Sequence, residues 1–90
     1  MLLKLDEKLL RAYLETNEDC SALGGDEYIA DLYGNPHPVT LDLLLKGGEV
    51  RLLAAAYLEY DEEQDGWYMG EQIFSEEEVL PLLKAAIERK

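Results

Sequence analysis

Two stretches between Glu49 and Phe74 do most to restrict what this chain can fold into. Val50, Leu52, Ala54, Ala56, Leu58 and Tyr60 alternate at period two, and Trp67-Tyr68-Met69-Gly70-Glu71-Gln72-Ile73-Phe74 is rich in strand formers. Alternation of this kind describes a strand with one face buried and one face wet. Between the two stretches lies Asp65-Gly66, a strong hairpin dipeptide. The expectation is a β-hairpin with arms at about 49–60 and 66–74. With Asp65-Gly66 as a two-residue turn, Gln64 faces Trp67 and Leu58 faces Ile73. That register places Leu58, Tyr60, Trp67, Met69 and Ile73 on one face. It places Glu59, Asp61 and Glu63 on the other, with Tyr57, Tyr68 and Phe74. A one-residue slip would exchange the faces of one arm relative to the other. The Ala54-Ala55-Ala56 run works against the strand, since alanine prefers helix.

Helical patterns flank the hairpin. Asp6 reads as an N-cap for a helix from Glu7 to about Thr16, with an acid at the start where it favours the dipole. Leu9, Leu10, Tyr13 and Leu14 form its apolar stripe. At the other end, Ser75 and Glu78 match a capping box for a helix over 75–90. Val79, Leu82, Leu83, Ala86 and Ile87 supply its apolar face, and Arg89 and Lys90 stand at its C-terminal end. Pro81 lies inside that pattern and withholds a backbone donor, so it predicts either a separate first turn or a kink.

The middle admits two readings. Asp26 to Tyr33 is either a short helix capped by Gly34 or a short strand. Asn35-Pro36-His37-Pro38 is a loop, because the prolines remove donors and bias their predecessors away from helix. Val39 to Leu45 alternates as a strand should, although Thr40 also suits a helix cap, and Gly47-Gly48 is a turn either way. Two helices in the middle would give the element order of a winged helix. The alternation of Val39 to Leu45 favours the other outcome: an α+β fold with an N-terminal helix, a small antiparallel sheet that includes 39–45 as a further strand, and a C-terminal helix. Ninety residues, 48% of them apolar, make one domain with a small core.

Charge narrows the partners. Twenty acids oppose eight bases, a net charge of −12. The bases fall in three short segments, Lys4 to Arg11, Lys46 to Arg51 and Lys84 to Lys90; from Leu52 to Leu83 there is no Lys or Arg, but nine acids. Nucleic acid and anionic membrane both need cations opposite phosphate, so neither is expected to bind directly. A recognition helix over Val39 to Lys46 would carry one acid, one base and mostly leucine, which also argues against DNA binding by a winged helix. A basic protein surface is the complementary partner. The competing reading is that the acids serve only solubility. A single cysteine, Cys20, permits no internal disulfide and fits a cytoplasmic setting. The segment Met1 to Glu7 reaches charge too early for a signal peptide, and no apolar run approaches membrane-spanning length.

The chemistry-bearing motifs are weak. Asp61, Glu63, Asp65 and Gly66 occupy positions 1, 3, 5 and 6 of a calcium loop, but Met69 and Gln72 stand where the closing ligands belong, and the flanks read as strands. One His and one Cys cannot build a dense transition-metal site. Cys20 and His37 are the only nucleophile and base to consider. They stand seventeen positions apart and are joined by loops, so Cys20 reads as a half-buried apolar residue and His37 as an exposed one. Gly24-Gly25 and Gly47-Gly48 have no lysine-serine or lysine-threonine after them to hold phosphate. No cofactor, metal or catalytic group is expected.

What remains is an acidic surface with aromatics in it. Tyr57, Tyr60, Trp67 and Tyr68 flank the tip, either as the sheet's core and cross-strand pairs or as exposed anchors among carboxylates. The candidate partner-binding residues are Glu59, Asp61, Glu62, Glu63, Asp65, Trp67, Tyr68, Glu71, Glu76 and Glu77. The expected function is a non-enzymatic protein that inhibits or regulates a basic, nucleic-acid-handling partner, such as a nuclease or defence-system protein, by filling its phosphate site with carboxylates. In size and charge alone the chain resembles DNA-mimic inhibitors carried by phages and mobile elements, including anti-restriction and anti-CRISPR proteins. Two alternatives stand beside this reading. One is an immunity protein or antitoxin; the other is a small structural or regulatory subunit, monomeric or a homodimer that buries the Ala54 to Leu58 region.

Overall fold

A computed structural model describes residues 2–33, 37–73 and 75–89. The chain is α+β: two helices on a six-stranded antiparallel sheet. Its elements are β1 (Leu2–Leu3), α1 (Glu7–Thr16), β2 (Cys20–Gly24), β3 (Glu27–Leu32), β4 (Val39–Lys46), β5 (Glu49–Asp61), β6 (Gly66–Gln72) and α2 (Glu76–Glu88). Glu27–Leu32 and Val39–Lys46 are thus strands, which removes the winged-helix order; Gly34, Asn35 and Pro36 of the expected cap and loop lie outside the described residues. Strands lie in the order β1-β5-β4-β3-β2, and β6 also pairs with β5. Both β1 and β6 lie along the flank of β5 that β4 leaves free, β1 at Val50 and Arg51 and β6 at Ala56 to Asp61.

One face of this sheet holds the core. Tyr28, Ala30 and Leu32 of β3 and Val39, Leu41, Leu43 and Leu45 of β4 join Val50 and Leu52 of β5 in a buried cluster with Leu10, Tyr13 and Leu14 of α1 and Val79, Leu83 and Ala86 of α2. Burial at strict period two along β3 and β4 is what a half-covered sheet requires. Arg11 fastens α1 to this sheet: its guanidinium donates to the Tyr28 hydroxyl at 3.2 Å and to the Leu45 carbonyl at 3.3 Å, and pairs with Glu7. Leu9, counted on sequence within the apolar stripe, is instead exposed at the rim of α1.

The helix termini follow local chemistry. The Asp6 carboxylate accepts from the Lys8 N–H at 2.9 Å, capping α1 as its sequence implies. Ser75 caps α2 by accepting from the Glu77 N–H at 3.2 Å, one residue earlier than a capping box would have it. The helix runs on through Pro81 without a separate first turn. At the far end the Arg89 side chain donates to the Ala85 carbonyl at 3.2 Å.

Two bulges reset the alternation that the sequence suggests for the hairpin. Asp42 pairs with Ala54 but Leu43 with Leu52, so Leu53 is an extra residue in β5. A bulge shifts the side-chain phase by one. Before it, Val50 and Leu52 face the helices; after it, Ala55 and Tyr57 do, while Ala54, Ala56, Leu58 and Tyr60 turn to the helix-free face. Ala56 and Leu58 are accordingly buried but lie outside the main core cluster. The second irregularity sets Gly70 and Glu71 of β6 against Tyr57 alone, and sends Ile73 into the core rather than alongside Met69.

The β5–β6 turn also differs from the expected two-residue form. Asp61 pairs with Gly66, leaving Glu62, Glu63, Gln64 and Asp65 as a four-residue loop with Asp65 at φ 50°. Tyr60 therefore faces Trp67, and Leu58 faces Met69 rather than Ile73. The shift is four positions, an even number, so the two faces of the hairpin survive it. The tight two-residue turn belongs instead to β4–β5, where Lys46 faces Glu49 across Gly47 and Gly48 at φ 64° and 77°. Positive φ at both central positions is the hairpin geometry glycine accepts without strain. Among the described residues no helix is long and apolar enough to cross a membrane.

Candidate functional site

β5 outgrows its neighbours. Its thirteen residues span about 40 Å at the usual strand rise, close to the 42 Å long axis of the molecule. β4 ends its pairing at Val39 and Tyr57. Beyond that point Leu58 to Asp61 pair with β6, and the Leu58 N–H donates to the Pro38 carbonyl at 2.8 Å. The acidic tip is therefore carried at the end of a hairpin arm past the sheet's centre.

Turn chemistry orders the tip. The Glu63 N–H donates to Asp61 Oδ1 at 3.0 Å, a local Asx-type bond that folds the chain back. The Tyr60 hydroxyl donates to Asp65, which raises the tyrosine's pKa. Asp61 and Asp65, two of the residues in the calcium-loop pattern, thus have structural tasks within the turn. Met69 is 71% exposed on β6 opposite Leu58, well down the arm from the turn. Among the described residues no group of three or more His, Cys, Asp or Glu side chains converges as a metal site would.

Trp67 and Tyr68 stand in solvent on opposite faces of the arm, 49% and 54% exposed. Trp67 packs edge-on to Tyr60, ring centroids 5.2 Å apart, and tilts against Tyr33 at 5.7 Å. The aromatics are thus a cross-strand pair and a surface patch at once. On the other face His37 stacks on Tyr57 at 4.3 Å, and its Nε2 lies 3.2 Å from Glu59 Oε1. Gly70 makes room for this: a Cβ there would sit 2.6 Å from Glu59 Cγ.

The ten candidate residues do not form one cluster. Asp61, Glu62, Glu63 and Asp65 share the tip, with Trp67 and Tyr68 directly below. Glu59 is part of the arm and engages His37. Glu71 lies at the second bulge, while Glu76 and Glu77 occupy the first turn of α2. β6 advances six residue steps from Gly66 to Gln72, about 20 Å at strand rise, so this second acidic group is remote from the tip. The ion pairs of Arg11 with Glu7 and of Arg51 with Glu49, and the contact of His37 with Glu59, do not involve Glu62, Glu63 or Asp65. Tyr33, just after β3, and His37, just before β4, complete the aromatic surface and were not legible in advance, because their contacts with Trp67 and Tyr57 arise only from tertiary structure.

Cys20 begins β2 and packs, partly buried, against the core, while His37 is held by Glu59 and Tyr57. No protein-family model, curated protein or solved structure matches this chain.

Proposed function

We propose that this chain is a non-enzymatic binding protein that inhibits or regulates a basic, nucleic-acid-handling protein. The arm places carboxylates where the partner would otherwise hold phosphates. The observation that carries this reading is the hairpin tip, where Glu62 and Glu63 are exposed beside the exposed rings of Tyr60, Trp67 and Tyr68. Folding does not account for Glu62 and Glu63, since the turn uses Asp61 and Asp65. Like charges crowded on one loop repel each other, a cost that a cationic partner removes. Exposed Trp and Tyr supply the apolar anchors that interfaces concentrate their energy in. A basic nuclease, including one of a defence system or the toxin of an immunity pair, has the complementary surface.

The test is capture from the native host, or from a panel of its nucleases and defence proteins, with partners read by mass spectrometry. The control is the variant with Glu62, Glu63 and Asp65 all changed to lysine. A partner that the wild type captures, that nucleic acid displaces and that the folded variant fails to hold supports the reading. A partner held equally by both proteins would show that the tip is not the interface. Binding should also weaken steeply as salt rises.

A further inference from the structure

The helix-free face of the sheet carries a groove that the hairpin reading does not use. It is about 390 Å³, with Ala54 and Ala56 of β5 as its floor. Thr40 and Asp42 of β4 form one wall, and Met69 and Gln72 of β6 form the other. The register explains the hollow: Ala56 stands between Thr40 and Gln72, and Ala54 stands beside Asp42. Methyl groups at the centre of a sheet with larger neighbours on both sides leave a trough. The bulge at Leu53 creates it, because it turns these two alanines, and not Ala55, to this face.

Asp42 gives the trough its chemistry. Its Oδ1 is buried and has no hydrogen-bond partner within the protein. A carboxylate oxygen removed from water without a donor is costly, and the cost falls when a cation supplies one. The lining holds no Lys or Arg. Charged groups on this face include Glu27, across from Leu44, Asp31, across from Thr40, and Arg51, whose guanidinium turns to Glu49 at 3.2 Å. Glu27 does not meet that oxygen, although its carboxyl is held above its ordinary range, first by hydrogen bonding to the Asp42 carboxyl, then by burial and the Asp42 charge.

We infer that this groove receives one arginine side chain of the basic partner, its guanidinium on Asp42 and its methylene stem along Ala54, Ala56 and Met69. This rests on the reading of the chain as a binder of a basic protein. Arginine suits the site because it lays apolar methylenes along the floor while its planar head offers several donors. Thr40, on the same wall, and Gln72, on the opposite one, offer further acceptors. A second copy of this chain is a poor occupant, since it would bring another −12 of charge to an acidic face.

The test needs no partner. N-acetyl-arginine methylamide is titrated into the isotope-labelled protein at low salt and neutral pH, with the neutral citrulline analogue in parallel, and amide shifts are followed by NMR. Saturating shifts confined to the β4, β5 and β6 residues around the groove, with the citrulline analogue silent, are expected. Asp42→Asn should weaken the arginine analogue about tenfold or more, the loss of a charged hydrogen-bond acceptor. Ala54→Leu, at an exposed floor position, keeps Asp42 and fills the space, and should do the same. Non-saturating shifts spread over all acidic segments, shifts centred on 61–65, equal response to citrulline, or full binding by either folded variant would overturn the inference. The tip reading fails separately: it falls if the triple-lysine variant still holds the partner, whatever the arginine analogue does.

Discussion

The two halves of β5 are built from one strand yet do different work. From Val50 to Ala56 it lies between β4 and its other neighbours, beneath the helices, with Val50 1% and Leu52 6% exposed. From Leu58 to Asp61 it has β6 on one side and the Pro38 carbonyl on the other, with no helix over it. The first half is bound by packing that tolerates little change. The second is bound mainly by backbone pairing and the contacts of Trp67 with Tyr60 and Tyr33, so its exposed side chains are available to meet something else. A protein can vary the arm without losing the fold, which is where a recognition surface is best placed.

That contrast can be broken most directly in the core. Leu43→Ala, at a side chain with 0% exposure, should cost about 2–5 kcal/mol by urea unfolding through cavity formation. Trp67→Ala on the arm should cost about 1 kcal/mol or less in the same measurement, since it removes a half-exposed cross-strand pair. An equal loss at the two positions would erase the distinction between the halves. Smaller again is the change of Glu62 and Glu63 to lysine, about 0.5 kcal/mol or less in total, because the turn's own side-chain bonds use Asp61 and Asp65. Its circular dichroism should match the wild type while partner capture is lost.

The smallest effect concerns pH and sits on the helix-free face. Glu27 has a raised carboxyl pKa, from hydrogen bonding to Asp42 first, then burial, then the Asp42 charge. The folded state therefore holds that proton more tightly than the unfolded chain. The stability it contributes is complete below the ordinary carboxylate range and is lost as pH rises through the folded value. Glu27→Gln keeps a donor at every pH. Its melting temperature should gain on the wild type as pH goes from acid to neutral, and a constant difference would mean that the two carboxyls do not share a proton.

Much of the framework was legible because local rules and tertiary packing agree there. Asp6 caps α1, Ser75 caps α2, and the near-alternation of Val39 to Leu45 tips that segment toward the strand it forms. β2 carried no such signal, because Ser21, Ala22 and Leu23 form an exposed edge with no alternating burial to give it away. β1 is two residues long and exists only through β5. The bulges at Leu53 and at Gly70-Glu71 were hidden for a related reason: each depends on how a neighbouring strand pairs. The groove follows from the first of these, so it was invisible while Ala54 and Ala56 were counted on the core side. The tip acids were visible as a group, but their distance from Glu76 and Glu77 needed the length of β6.

The sheet's connectivity also bears on how the chain reaches this state. From β2 to β6 every strand pairs with the next one along the chain, through short reversals. Each step closes a small loop, so little chain entropy is spent before contacts reward it. The exception is β1, which must cross past α1 to reach β5. Assembly by successive hairpins from the Gly47-Gly48 reversal outward would leave the acidic arm among the early products, ordered before the helices dock and seal the other side.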